Sequence, residues 1–169
     1  MPVGEEIAAL NAYLTAHIPL VGAMRLSAEP HDTDGLILTA PLSGNHNDKR
    51  TVFGGALASA LILAGWAVCW LQARRSGLGA DIVIRDCQIR YHRALDRDFS
   101  VHCPWIEPEH WARCLSAFRR RGRAAVSLEP AVFPAPPAAS MTASYALLAV
   151  PAAPGGGKTN APIPLHPTG

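Results

Sequence analysis

Charge is scarce in this chain. Of 169 residues only 17% are Asp, Glu, Lys or Arg, and the formal net charge is +2. So small a balance gives no electrostatic case for a nucleic-acid-binding protein. With 49% hydrophobic residues, the same shortage argues for a buried core rather than a disordered chain. Cysteine is sparse too: Cys69, Cys87, Cys103 and Cys114 show no paired short spacing, which speaks against a zinc site and against a disulfide framework. Three of them, Cys69, Cys103 and Cys114, sit among apolar or aromatic neighbours and are expected as buried free thiols in a reducing compartment. The first residues carry Glu5 and Glu6 and no basic-then-apolar leader pattern, so a cytoplasmic location is expected. No Gly-x-Ser-x-Gly elbow occurs, which removes the usual signature of a serine hydrolase. The run Gly155–Thr159 lacks the first glycine of a phosphate loop, Ala152 standing there, and no helix is predicted after it. No internal repeat stands out.

What is present divides into one domain over residues 1–150 and a Pro/Gly-rich tail over 151–169, expected to be mobile. Ile7, Leu10 and Leu14 stand at helical spacing between Gly4 and His17, with Pro19 as a stop. Two extended runs are predicted between Val21 and Leu42, split by the turn-rich cluster from His31 to Gly35. A polar loop, Ser43 to Arg50, leads into Phe53–Trp70, which is nearly free of polar side chains and rich in Ala, Leu and Ile. A helix there, running on to Gln72, would be about 30 Å long, enough to raise a transmembrane reading. The small residues Gly54, Ala56, Ser59, Ala60, Ala64, Gly65 and Ala67 favour a helix buried under a sheet instead. Strands are expected from Asp81 to Leu95, at the alternating Phe99, Val101, Cys103 and Trp105, and over Ala124–Phe133 and Ser140–Val150. Between them Glu107-Pro108-Glu109 opens a helix that places Trp111, Leu115 and Phe118 at helical spacing and closes at Gly122. One long apolar helix among hairpin-connected strands is an α+β layout with the helix on one sheet face.

Basic residues are clustered. Thirteen of the fifteen lie between Lys49 and Arg123, and five arginines fall between Arg113 and Arg123. Such a field suits an anionic ligand such as the phosphate tail of a nucleotide, or simply a solvated face.

The segment Asn45-His46-Asn47-Asp48-Lys49-Arg50-Thr51-Val52-Phe53-Gly54-Gly55-Ala56-Leu57, continued by Leu63-Ala64-Gly65-Trp66, resembles a thioesterase family of hot-dog domains. That family also occurs as the C-terminal half of some acetyltransferase fusions. The resemblance covers roughly Glu5 to Val150. The strand Ile89–Leu95 with Asp98 is similar to the one that follows the central helix in hot-dog proteins generally, although Ala94 stands where Pro is usual. The likeness implies a hot-dog fold, an antiparallel sheet wrapped around one long helix, and homodimers whose sheets join edge to edge. It also implies thioesters of coenzyme A or acyl carrier protein as substrates. From the residues themselves, neither nucleic-acid binding nor membrane insertion is expected.

The residues must still supply the chemistry, because folds host several functions. Thioester hydrolysis needs a polarised carbonyl and an activated water, and no cofactor. Free N–H groups at a helix N-terminus can hold the developing oxyanion, and Gly54 and Gly55 would let a substrate approach them. The long helix contains no Asp or Glu, so Asp48 is the expected base or nucleophile, with Asn45 and Asn47 orienting water or the thioester oxygen. All three also favour turns. His46 is a weaker candidate base. Substrate contacts are expected from Thr51, Phe53, Ser59 and Trp66, and tail contacts from Arg119, Arg120 and Arg121. A hot-dog dehydratase or hydratase would pair a histidine with a helix acid, which is missing; a non-catalytic acyl-CoA or carrier-protein binding module remains the other reading.

Overall fold

The computed structural model describes residues 3–29, 34–133 and 135–150. The amphipathic start folds as α1 (Val3–His17), burying Ile7, Leu10 and Leu14 as their spacing predicts. Pro19 does not stop the helical segment for long. Its fixed φ and missing N–H suit a first helical turn, and it opens α2 (Pro19–Met24), which ends at Arg25 in the left-handed region. The first of the two extended runs is therefore mostly helix, and only Ser27–Glu29 remains as β1. β2 (Gly35–Ala40) follows and pairs with it. Residues 31–33 of the expected turn, and the tail from 151 onward, lie outside the described residues.

The apolar run is α3 (Gly54–Arg75), and it is the core of the molecule. It is long and apolar enough to cross a membrane, yet 67% of its most apolar window is buried inside the protein. Ala60, Ala64, Ala67 and Val68 are fully covered. Small residues allow the sheet to approach closely, most plainly at Gly65. There a methyl group would lie 2.4 Å from the Tyr145 hydroxyl oxygen, and that hydroxyl donates to the Ile62 carbonyl at 2.8 Å.

The remaining elements are β3 (Ala80–Tyr91), β4 (Phe99–Pro104), α4 (Pro108–Arg121), β5 (Arg123–Leu128), β6 (Ala131–Phe133) and β7 (Ala139–Ala149). The expected strand Ala124–Phe133 is thus broken at Glu129-Pro130, since proline cannot donate to a ladder. The sheet is antiparallel in the order β1-β2-β4-β6-β7-β3, with β5 beside β7. β4 alternates over Phe99, Val101 and Cys103, all buried, but ends at Pro104, so Trp105 of the expected alternation lies beyond the strand. α4 ends at Gly122 in the left-handed region and buries Trp111, Cys114 and Phe118, while Trp111 Nε1 donates to Ser76 Oγ just past α3. α1 covers another side of α3, where Tyr13 stacks on Trp66. One long helix held in a seven-stranded antiparallel sheet is the hot-dog arrangement.

β3 is an edge strand of twelve residues, joined to β7 from Ala80↔Ala149 to Tyr91↔Ala139 with a bulge between Ile84 and Asp86. It is exposed along most of its length.

Candidate active site

The loop before α3 is built by its own side chains. The Asn45 amide is buried, with 4% of the residue exposed, and donates at 2.8 Å to both the Met24 and Pro41 carbonyls. It therefore ties the end of α2 and the end of β2 to the loop, and its carbonyl accepts the Phe53 N–H at 2.7 Å. Asn47 closes the next turn: its Oδ1 accepts from Lys49 N at 2.9 Å and Thr51 N at 3.1 Å, and its Nδ2 donates to Thr51 Oγ1 at 3.0 Å. These are the side-chain-to-backbone bonds that asparagine makes in turns. Below them Val52 N donates to the Leu95 carbonyl and Leu42 N donates to Asp98 Oδ1, so the segment after β3 buttresses the loop. Asn45, Asn47 and Thr51 thus form the frame.

What the frame positions is the start of α3. Phe53 occupies the N-cap position and makes no side-chain capping bond. Ser, Thr, Asp or Asn there would consume an N–H of the first turn; phenylalanine cannot. The N–H groups of Gly54 and Gly55 accordingly have no partner among the described residues. Gly55 carries no side chain because the Phe53 ring lies across it: a methyl group would stand 2.2 Å from Cε1 of that ring. Ser59 donates back to the Gly55 carbonyl at 2.9 Å.

Beside this terminus lies an open cavity of about 340 Å³, lined by Leu20, Met24, Asn45, Phe53, Gly55 and Ser59 among others. His46 lines it too and is its one titratable side chain among the described residues. Its Nδ1 stands 3.1 Å from the Asn47 carbonyl oxygen. A carbonyl can only accept, so the neutral imidazole carries its proton on Nδ1 and leaves Nε2 as a lone-pair acceptor. Asp48 does not line this cavity. It stands on the turn tip with its side chain 80% exposed and 3.2 Å from Lys49 Nζ.

Four predicted contact residues lie elsewhere. Trp66 is three turns along α3, stacked on Tyr13 and donating from Nε1 to the Ile82 carbonyl at 3.0 Å. Arg119, Arg120 and Arg121 end α4, exposed to solvent. One neighbour of the site escaped the sequence reading. The Tyr91 hydroxyl donates to the Gly54 carbonyl at 3.0 Å and its ring lies beside the Gly54 Cα, across 37 residues of sequence. The pairing of a strand end with a helix start had no local signal.

Comparison with known proteins places the chain in a family. Residues 7–148 match the family described as "Putative thioesterase (yiiD_Cterm)", and the chain belongs to that family. A protein of unknown function from Chlorobaculum tepidum TLS is 30% identical, with a TM-score of 0.81 over 85% of this chain and 94% of the other. A structure described as a putative thioesterase from Shewanella oneidensis is 27% identical, with a TM-score of 0.78 over 86% of this chain and 99% of the other. A thioesterase from Haemophilus influenzae shares the fold at 10% identity, with a TM-score of 0.64 over 85% and 90% of the two chains.

Proposed function

We propose that the protein is a cytoplasmic acyl thioesterase that hydrolyses acyl-CoA or acyl-carrier-protein thioesters. The observation that carries this reading is the uncapped start of α3, whose Gly54 and Gly55 N–H groups stand beside a cavity with apolar walls. In this reading the thioester oxygen sits on those N–H groups, and the helix dipole favours the negative charge that develops there. Leu20 and Met24 face the acyl chain. Nε2 of His46 takes a proton from water as its oxygen attacks the carbonyl carbon. The C–S bond then breaks, the sulfur leaves as a thiol after regaining a proton, and a carboxylic acid remains. His46 is preferred to Asp48 as the base because it lines the cavity, and a base must come within hydrogen-bond reach of the proton it takes.

A second reading has one observation in its favour: among the described residues no carboxylate lines the cavity, so the same pocket could bind an acyl group without hydrolysing it. Release of free thiol from a panel of acyl-CoAs separates the two. Turnover supports the thioesterase; tight binding with no thiol release supports the binding module. Within the first outcome, His46→Gln should lower kcat by about 10²–10⁴-fold, the usual contribution of a general base, and Asp48→Asn should keep most of it. The reverse result assigns the base to Asp48.

The edge strand β3 supports assembly as a homodimer. Twelve residues with an unpaired edge, exposing Val83 and Ile84, would be an aggregation hazard in a monomer. The Trp66 indole covers only the Ile82 carbonyl. Joining two copies along this strand satisfies the rest and sets Tyr91, beside Gly54, at the junction.

A further inference from the structure

The arginines that the sequence groups together are separated by the fold into two sets. Arg119 and Arg120 point to solvent on the last turn of α4. Arg121 and Arg123 instead line a cavity of about 510 Å³, where they are joined by Arg85, which is distant in sequence. Arg85 is the inserted residue of the β3 bulge, between Ile84, paired with Tyr145, and Asp86, paired with Ser144. Arg121 and Arg123 flank Gly122, whose left-handed φ of 65° turns the chain and whose carbonyl accepts the Ala149 N–H at 2.7 Å. That bond anchors the turn to β7 and fixes where the two side chains start.

The cavity floor is the outer sheet face. Tyr145 points inward to Gly65, so its neighbour Ala146 and, two residues on, Leu148 point outward, where Ala125 and Arg123 stand opposite them on β5. The floor is small and apolar, the rim cationic. None of the three guanidinium groups has an ion pair within 4.0 Å or a side-chain hydrogen bond among the described residues, and Asp81 and Asp86 on β3 leave them unpaired. Three like charges around one recess repel one another unless an anion joins them. A volume of this size also falls in the range of small-molecule sites.

We propose that this cavity binds a phosphorylated nucleotide, the flat ring on the alanine floor and the phosphates on Arg85, Arg121 and Arg123. Guanidinium groups match phosphate oxygens in paired hydrogen bonds, and an apolar floor of Ala125, Ala146 and Leu148 can take the face of a planar base. The site lies on the opposite sheet face from the cavity at Gly55 and does not depend on hydrolysis there. Its ligand is either a free nucleotide or the nucleotide end of coenzyme A. In the second case, which rests on the thioesterase reading, it favours coenzyme A thioesters over carrier-protein ones.

Titration calorimetry of the full chain at low salt, with adenosine 3′,5′-bisphosphate as the probe, tests this. Saturable one-site binding is expected, weakened by salt because charges are screened beyond about 8–10 Å near physiological ionic strength. Arg85→Ala and the pair Arg121→Ala/Arg123→Ala should each weaken it by about tenfold or more, as lost charge-assisted bonds do. Arg119→Ala, on the same helix but outside the cavity, should leave it unchanged. Circular dichroism and the melting temperature confirm that each variant is folded. If the bisphosphate binds tighter than ADP and is displaced by coenzyme A, the ligand is a coenzyme A tail. If ADP or ATP binds tighter, it is a free nucleotide. The proposal is overturned if no nucleotide binds at low salt, or if Arg119→Ala weakens binding as much as the cavity variants do.

Discussion

Gly65→Ala probes how closely the sheet and the central helix approach. The added methyl would meet the Tyr145 hydroxyl oxygen at 2.4 Å and two ring carbons at 2.6 Å. Tyr145 is fully buried and holds a 2.8 Å bond to the Ile62 carbonyl, so it cannot swing aside into solvent. Overpacking of this kind costs about 1–3 kcal/mol, and stretching or breaking the buried phenol bond adds about 1–3 kcal/mol. Against these, alanine gains about 1 kcal/mol over glycine in helix propensity. The net loss should be about 3 kcal/mol, which at a urea slope of about 2 kcal/mol/M lowers the denaturation midpoint by about 1.5 M. Urea melts followed by far-UV circular dichroism read this directly. Tyr145→Phe removes the closest clashing atom, so the double variant should lose less than the two single losses added together. If Gly65→Ala stays within about 0.5 kcal/mol of wild type, the range of an ordinary surface change, the close approach does not constrain the fold as argued.

Asn45→Ala removes both bonds that tie the loop to Met24 and Pro41; it should cost about 1–3 kcal/mol in stability and lower thioesterase turnover, read by urea melts and thiol release. Burial pushes the Cys103 thiol up to about 12 and raises Cys69 as well, through burial first and then through Cys103 and Cys114. Such thiols ionise earlier in the unfolded chain, so stability should be flat below about pH 9 and fall toward pH 12 by about 1.4 kcal/mol per pH unit for each thiol. Denaturant melts between pH 8 and 11 check it, and a flat profile would falsify the burial argument. On the homodimer reading, light scattering should give wild type the mass of two chains and Ile84→Lys, which places a charge on the exposed edge strand β3, the mass of one; a monomeric wild type overturns that reading.

The sequence by itself determined the elements whose physics is local. Ile7, Leu10 and Leu14 mark α1, the alternation of Phe99, Val101 and Cys103 marks β4, and Gly122 ends α4 in the conformation that glycine favours. The apolar run from Phe53 had to be buried, and the motif around Gly54 and Gly55 pointed to the correct family. Pro19 misled because proline stops one helix and begins another with equal ease.

Only the tertiary structure decided what each loop and surface residue faces. Asn45 and Asn47 hold the loop together through amides that find carbonyls and N–H groups which composition cannot place. Asp48 and His46, two residues apart, differ in that one stands on the turn tip and the other on the cavity wall. Tyr91 reaches Gly54, and Arg85 comes to share a cavity with Arg121 and Arg123, through strand register and a one-residue bulge. Register depends on long-range pairing and a single inserted residue shifts every side chain after it to the other face, which is why those meetings carry no signature in the order of the residues.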